Sequence, residues 1–149
     1  MMQIKRCNRL DDFLMKKMLN SEKDYFSDEE RYQAYRNFLR LTTKEGKRIA
    51  ATQTIKKWFG IGGIKRPNRE GLFKIGFDLR LSVKEMEELF VYVMLEPGFQ
   101  VNDYREMIFL YGFYHQMTYD DCINMIDYLE KSLPGNLSIR QHNCTNDIW

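Results

Sequence analysis

REGLFKIGF at residues 69–77 and REMIFLYGF at residues 105–113 stand 36 positions apart and share Arg69/Arg105, Glu70/Glu106, Phe73/Phe109, Gly76/Gly112 and Phe77/Phe113. The likeness continues past them: Leu81-Ser82 aligns with Met117-Thr118, Glu85 with Asp121, Leu89 with Met125 and Tyr92 with Tyr128. Each copy reads as a helix, a break, and a second helix opened by a Ser or Thr whose hydroxyl caps the first turn. Mid-helix glycine costs about 1 kcal/mol against alanine. Gly76 and Gly112 therefore imply close approach of a partner helix. Helical-hairpin repeats stack to share a core. Two copies are too few to stand alone, so helices from the N-terminal part are expected to pack on them.

Outward from the repeat, the apolar spacing stays helical. Leu10, Phe13, Leu14 and Met18 predict a short first helix. Ser27 with Glu30 forms a capping box, followed by Tyr32, Tyr35, Phe38 and Leu39 on one face. Residues 42–51 read either as a tight turn between two short strands or as a loop leading into a helix. Thr52–Phe59 reads as a helix stopped by Gly60, and the glycines of residues 60–63 cannot continue it cheaply. Pro67 and Asn68 open the next helix, Ser82 with Glu85 opens another that runs to Pro97-Gly98, and Asn102 is the expected cap of the one after. Thr118 with Asp121 opens the last strong helix, which Pro134-Gly135 breaks. The fold class is all-α, with about seven helices in one domain over residues 1–149. Within it, residues 27–95 form a helix-turn-helix-like part, 99–134 the second hairpin and 135–149 a tail.

The chain has 149 residues with 44% apolar and 30% charged, the composition of an ordinary globular domain able to form a core without staples. Cys7, Cys122 and Cys144 show neither disulfide nor zinc spacing. Cys122 falls on an apolar helix face and is expected to be a buried, inert thiol. No secretory signal is evident near the start and no apolar run approaches the ~18 residues of a membrane span. A cytoplasmic protein with no membrane partner is the expectation.

No catalytic constellation is visible. His115 and His142 lack nucleophile or metal-ligand context, and the glycines of residues 60–63 lack a following Lys-Ser/Thr. They leave at most a weak backbone anion site. Asp103, Glu106, Asp120 and Asp121 read as helix-start carboxylates. Neither an enzyme nor a cofactor or metal site is expected.

Charge supplies the functional signal. Residues 44–74 hold nine Lys/Arg against two Asp/Glu, whereas residues 75–149 hold five against twelve. A basic centre attracts polyanions or acidic proteins. Thr52–Gly60 is polar, then basic, then apolar. Ile55, Trp58 and Phe59 would face inward, and Gln53, Thr54, Lys56 and Lys57 would face out. Gln and Thr side chains reach base edges, and Lys and Arg reach phosphates.

The run TIKKWFGIGGIKRPNREGLFKIGFDLRLSVKEMEELF, residues 54–90, resembles the second half of the lambda-repressor-like helix-turn-helix domain of the Xre/Cro class. The features that carry the likeness are Gly60 after the basic helix, Lys65-Arg66-Pro67, Leu72 with Ile75, Leu81-Ser82, and Glu85 with Leu89-Phe90. Thr42 to Arg48 stands where that family has a full helix. The resemblance implies a bacterial-type transcription regulator that binds double-stranded DNA, usually as a dimer. Lys47, Arg48, Lys56, Lys57, Lys65, Arg66 and Arg69 are the expected phosphate contacts, with Gln53 and Thr54 as base-edge candidates. The acidic C-terminal half would then serve a homodimer or a protein partner. The alternative is a helical protein–protein interaction module, either by itself or as the N-terminal part of a longer protein.

Overall fold

Ser27 accepts the Glu30 N–H at 3.1 Å while Glu30 accepts the Ser27 N–H at 2.9 Å. This reciprocal box fixes where the 15-residue helix Asp28–Thr42 begins. The computed structural model describes residues 9–132, and among them it contains seven α-helices and no sheet. They are α1 (Leu10–Leu19), α2 (Asp28–Thr42), α3 (Thr52–Trp58), α4 (Arg69–Asp78), α5 (Val83–Glu88), α6 (Tyr104–Tyr114) and α7 (Tyr119–Ser132). The all-α expectation is met. Cys7, His142, Cys144 and the expected break at Pro134-Gly135 lie outside the described residues.

Residues 42–51 resolve into the first of the two alternatives, in reduced form. Lys44 and Lys47 exchange backbone hydrogen bonds of 2.8 and 2.9 Å, but they form a single isolated bridge rather than strands. Glu45 and Gly46 both take positive φ, +52° and +79°, the geometry of the tightest two-residue hairpin turn. Residues 43–51 thus join α2 to α3, where a helix-turn-helix uses three or four residues.

Two other boundaries differ from the sequence reading. Asp103, not Asn102, caps α6: its carboxylate accepts the Arg105 N–H at 2.9 Å. The helix expected to run from Ser82 to Pro97 leaves α geometry after Glu88. It continues as a π-helical turn over Leu89–Val93, and Leu95 at φ +56° ends it. A π turn inserts an extra residue per turn. Here it accompanies full burial of both Leu89 and Phe90.

At the 36-residue offset, backbone features recur. α4 ends with Arg80 at φ +57° and a Leu81 N–H bond to the Gly76 carbonyl of 2.9 Å. α6 ends with Gln116 at φ +57° and a Met117 N–H bond to the Gly112 carbonyl of 2.9 Å. Both are Schellman closures, with a non-glycine residue in the left-handed position. The following helices open alike. Ser82 and Glu85 cap each other at 2.9 and 3.1 Å, and Thr118 and Asp121 at 3.1 and 3.0 Å.

The two glycines meet reciprocal neighbours. A Cβ on Gly76 would overlap the Met86 sulfur and press on Phe113, and one on Gly112 would overlap the Cys122 sulfur and press on Phe77. Phe77 and Phe113 stack at 3.9 Å and 15°, and Phe73 and Phe109 at 4.5 Å and 27°. Residue i meeting j while i's counterpart meets j's counterpart is the contact pattern of a local two-fold. A second aromatic cluster lies at the front, where α2 meets α3. Phe38 sits edge-on to Trp58 at 6.1 Å and to Phe59 at 5.4 Å, above the fully buried Leu14, Met15 and Ile55.

Candidate nucleic-acid interface

α3 is short because its apolar side chains end at Phe59 and the glycines turn the chain. Gly60, Gly62 and Gly63 have φ of +76°, +73° and +135°. Burial of Ile55, Trp58 and Phe59 leaves Gln53 exposed and Thr54, Lys56 and Lys57 half-exposed. The Lys56 ammonium sits 5.8 Å from the Tyr35 ring centre, and the Lys57 alkyl chain lies against Gly63. Both lysines are half-exposed, so part of each side chain covers the protein's own surface. The N–H groups of Gly60 and Ile61 bond back to the Lys57 and Lys56 carbonyls at 3.1 and 2.9 Å. Those two donors close the helix end and are not free for an anion.

Beyond α3, the expected phosphate contacts divide. Lys65 is exposed. Arg66 is exposed too, but one guanidinium nitrogen donates to the Met94 carbonyl at 2.6 Å. Arg69 is half-buried and turned back onto the protein. It donates to both carboxylate oxygens of Glu106 at 2.5 and 2.8 Å, and to the Pro97 and Gly98 carbonyls at 2.9 and 2.6 Å. Its guanidinium carbon lies 4.1 Å from the Phe90 ring centre. The bidentate, stacked geometry makes Arg69 a clamp between α4, the loop after the π turn, and α6. Glu106 is accordingly buried as Arg69's partner, more than the simple helix-start carboxylate expected.

Lys47 and Arg48 open onto a groove of about 1380 Å³ between the 44–47 turn, the break after α4 and the break after α6. Lys44, Lys74, Arg80 and Lys84 also line it, with Phe77 and Phe113 deeper in. Lys47, Arg48, Arg80 and Lys84 are exposed and enter no ion pair among the described residues. Arg80 and Lys84 escaped the sequence reading because they belong to the half whose net charge is negative. No local signal places them opposite Lys47, and only the fold does.

Four carboxylates share the groove: Glu45, Asp78, Glu85 and Asp120. Glu85 is occupied by the Ser82 cap and by Lys17. Asp78 is half-buried, and burial pushes its carboxyl from the usual 3.8 up to about 6. Lys44 and Lys74 oppose that shift and Asp120 adds to it. A groove with a basic rim and a carboxyl that sheds its charge in mild acid can hold an anion more tightly as pH falls.

Of the remaining titratable candidates, Cys122 is fully buried with its thiol pushed up to about 11 by burial, consistent with an inert core residue. His115 is exposed and lies against the Tyr111 ring at 4.1 Å. Among the described residues no three His, Cys, Asp or Glu side chains are arranged to hold a metal ion, and no helix is long and apolar enough to cross a membrane. Comparison with protein-family models, with curated proteins and with solved structures gives no match.

Proposed function

We propose that the protein binds double-stranded DNA through the basic segment 44–74, joined by Arg80 and Lys84, as a small regulator of helix-turn-helix type whose turn is lengthened to residues 43–51. The observation that carries this reading is the convergence of Lys47, Arg48, Arg80 and Lys84 on one groove, all exposed and in no ion pair among the described residues. Such cations gathered from separate chain segments favour a polyanion, because each phosphate they neutralise releases condensed counterions. α3 adds Gln53 and Thr54 as base-edge candidates, flanked by Lys56, Lys57 and Lys65. Arg69 has no part in this interface, since its hydrogen bonds are spent on Glu106 and the 97–98 carbonyls. Arg66 contributes only with the nitrogens that do not face Met94.

The test is a salt titration of binding to a mixed-sequence duplex, followed by fluorescence anisotropy. Lys47→Gln/Arg48→Gln and Arg80→Gln/Lys84→Gln should each flatten the log–log salt slope, by about 0.9 for every phosphate that is no longer neutralised. Lys56→Gln/Lys57→Gln should do the same, while Gln53→Ala should lower sequence preference with the slope unchanged. Absence of duplex binding by the unaltered chain at about 50 mM salt, where phosphate neutralisation is strong, would sink the proposal.

A further inference from the structure

The hairpin formed by α4, α5 and the π turn is covered on its outer side, whereas the hairpin formed by α6 and α7 is not, among the described residues. In the first, α2 packs on α4 and α1 packs on the π turn. Ile75 and Leu89 are fully buried beneath them, and Val93 nearly so. Their counterparts 36 positions on are Tyr111, Met125 and Leu129. Tyr111 is 49% exposed against 0% for Ile75, and Met125 and Leu129 are only half-buried. Met107, Tyr111 and Tyr114 follow each other at helical spacing along α6, and all three are exposed. Tyr104 begins the same stripe and donates its hydroxyl to Glu130 of α7, so the stripe runs beside α7. That helix brings Asp120, Asp121, Asp127 and Glu130 to the surface.

The cover of the first hairpin indicates what the second would take. α1 is apolar on its buried side through Leu10, Leu14 and Met15, and its last turn carries Lys16 and Lys17. Lys17 pairs with Glu85 of α5. The counterpart of Glu85 is Asp121, which is exposed and joined to Thr118 at its own helix start. Among the described residues it enters no ion pair with a cation.

We propose that this face of α6 and α7 docks an amphipathic helix of a partner protein, apolar along one stripe and basic in its last turn, as α1 is on the first hairpin. Apolar knobs on a stripe of tyrosines and methionine give such a helix its area, and the acids of α7 select its charge. A second copy of the same face fits less well, because a two-fold contact would set the acids of α7 near their own copies. The proposal does not rest on DNA binding, although Tyr114 and Asp120 also line the basic groove.

The probe is a fluorescent, hydrocarbon-stapled peptide of residues 9–20, the staple being needed because a helix this short is unstable alone. Titrated against the intact chain, it should bind saturably, with a Kd below about 1 mM. Tyr111→Glu in the chain should weaken binding at least about tenfold, as should Lys16→Glu/Lys17→Glu in the peptide, and added salt should weaken it further. Tyr114→Ala serves as the second variant should Tyr111→Glu disturb the melting temperature. Three outcomes overturn the proposal. One is no saturation up to about 1 mM. Another is binding indifferent to both tyrosine variants, which means exchange with the chain's own α1. The third is self-association of the chain that Tyr111→Glu abolishes, which assigns the face to a second copy.

Discussion

The two hairpins begin from nearly the same instructions and end in different surroundings. Both close their first helix on a left-handed residue and open the second with a reciprocal cap. Both lay a glycine against a sulfur of the same hairpin and a phenylalanine of the other. Yet Arg69 reaches across to Glu106, and the reciprocal pair of Arg105 with Glu70 is not made. Glu70 instead accepts the Tyr119 hydroxyl. Local chemistry sets where helices start, stop and cross, and what is stacked outside them decides which side chains become core. The loop of residues 96–98 supplies carbonyls above Arg69, and Phe90 supplies a ring beneath it. That site is made by the covered hairpin.

The largest break in the symmetry should therefore appear at the two arginines. Arg69→Ala leaves the buried Glu106 carboxylate without its cation and frees two carbonyls. Breaking a buried pair from one side costs about 3 kcal/mol or more. Arg105→Ala removes no ion pair found among the described residues and should stay within about 0.5 kcal/mol. Urea unfolding of the two variants measures the difference directly. Equal losses would mean that the clamp contributes nothing beyond an ordinary surface arginine.

A smaller and more even effect is expected at the glycines. Gly76→Ala gains about 1 kcal/mol of helix propensity but forces its methyl onto the Met86 sulfur, and overpacking of this kind costs about 1 to 3 kcal/mol. Met86 can swing its flexible end aside. The Cys122 sulfur, which Gly112→Ala would meet, is one bond from its Cβ and cannot. Gly112→Ala should therefore destabilise more than Gly76→Ala, and adding Cys122→Ala should restore most of that loss. Thermal unfolding of the three variants checks the order. A Gly112→Ala variant as stable as the parent would remove the close-approach argument for both glycines.

The helices and their caps were legible because short-range rules write them: Ser27 with Glu30, Ser82 with Glu85, and Thr118 with Asp121 each announce a helix start within four residues. Gly76 and Gly112 announced crossings because nothing local justifies a glycine there. The π turn was not legible, since Leu89–Val93 has the same apolar spacing as an α-helix. Nor was the role of Arg69. In sequence it is one more cation in a basic run, and its partners lie 27 to 37 residues away. The groove was half legible. Lys47 and Arg48 stand in the basic segment, but Arg80 and Lys84 join them only through the folding of α4 back toward the 44–47 turn.

The smallest effect separates Asp78 from its counterpart Tyr114, and it depends on pH. The covered hairpin leaves Asp78 half-buried, while Tyr114 is 68% exposed. Burial raises the Asp78 carboxyl from 3.8 to about 6, so between those values the folded chain holds a proton that the unfolded chain has released. Protonation then favours folding, and the contribution of Asp78 to stability declines as pH rises from about 4 through 6, with no further change above. Asp78→Asn removes the ionisation. The variant should match the parent near pH 4 and exceed it in urea midpoint near pH 7.5, by a modest margin because water reaches part of the group. Tyr114→Phe should leave the pH profile parallel to that of the parent. The same proton acts on the groove: below about pH 6 the rim of Lys47, Arg48, Arg80 and Lys84 faces one fewer negative charge. Duplex affinity should thus fall as pH rises through this window in the parent, and fall less in Asp78→Asn. If Asp78→Asn and the parent gave superimposable stability profiles from pH 4 to 7.5, Asp78 would be as well hydrated as a surface aspartate, and the burial that distinguishes the covered hairpin would not reach this carboxyl.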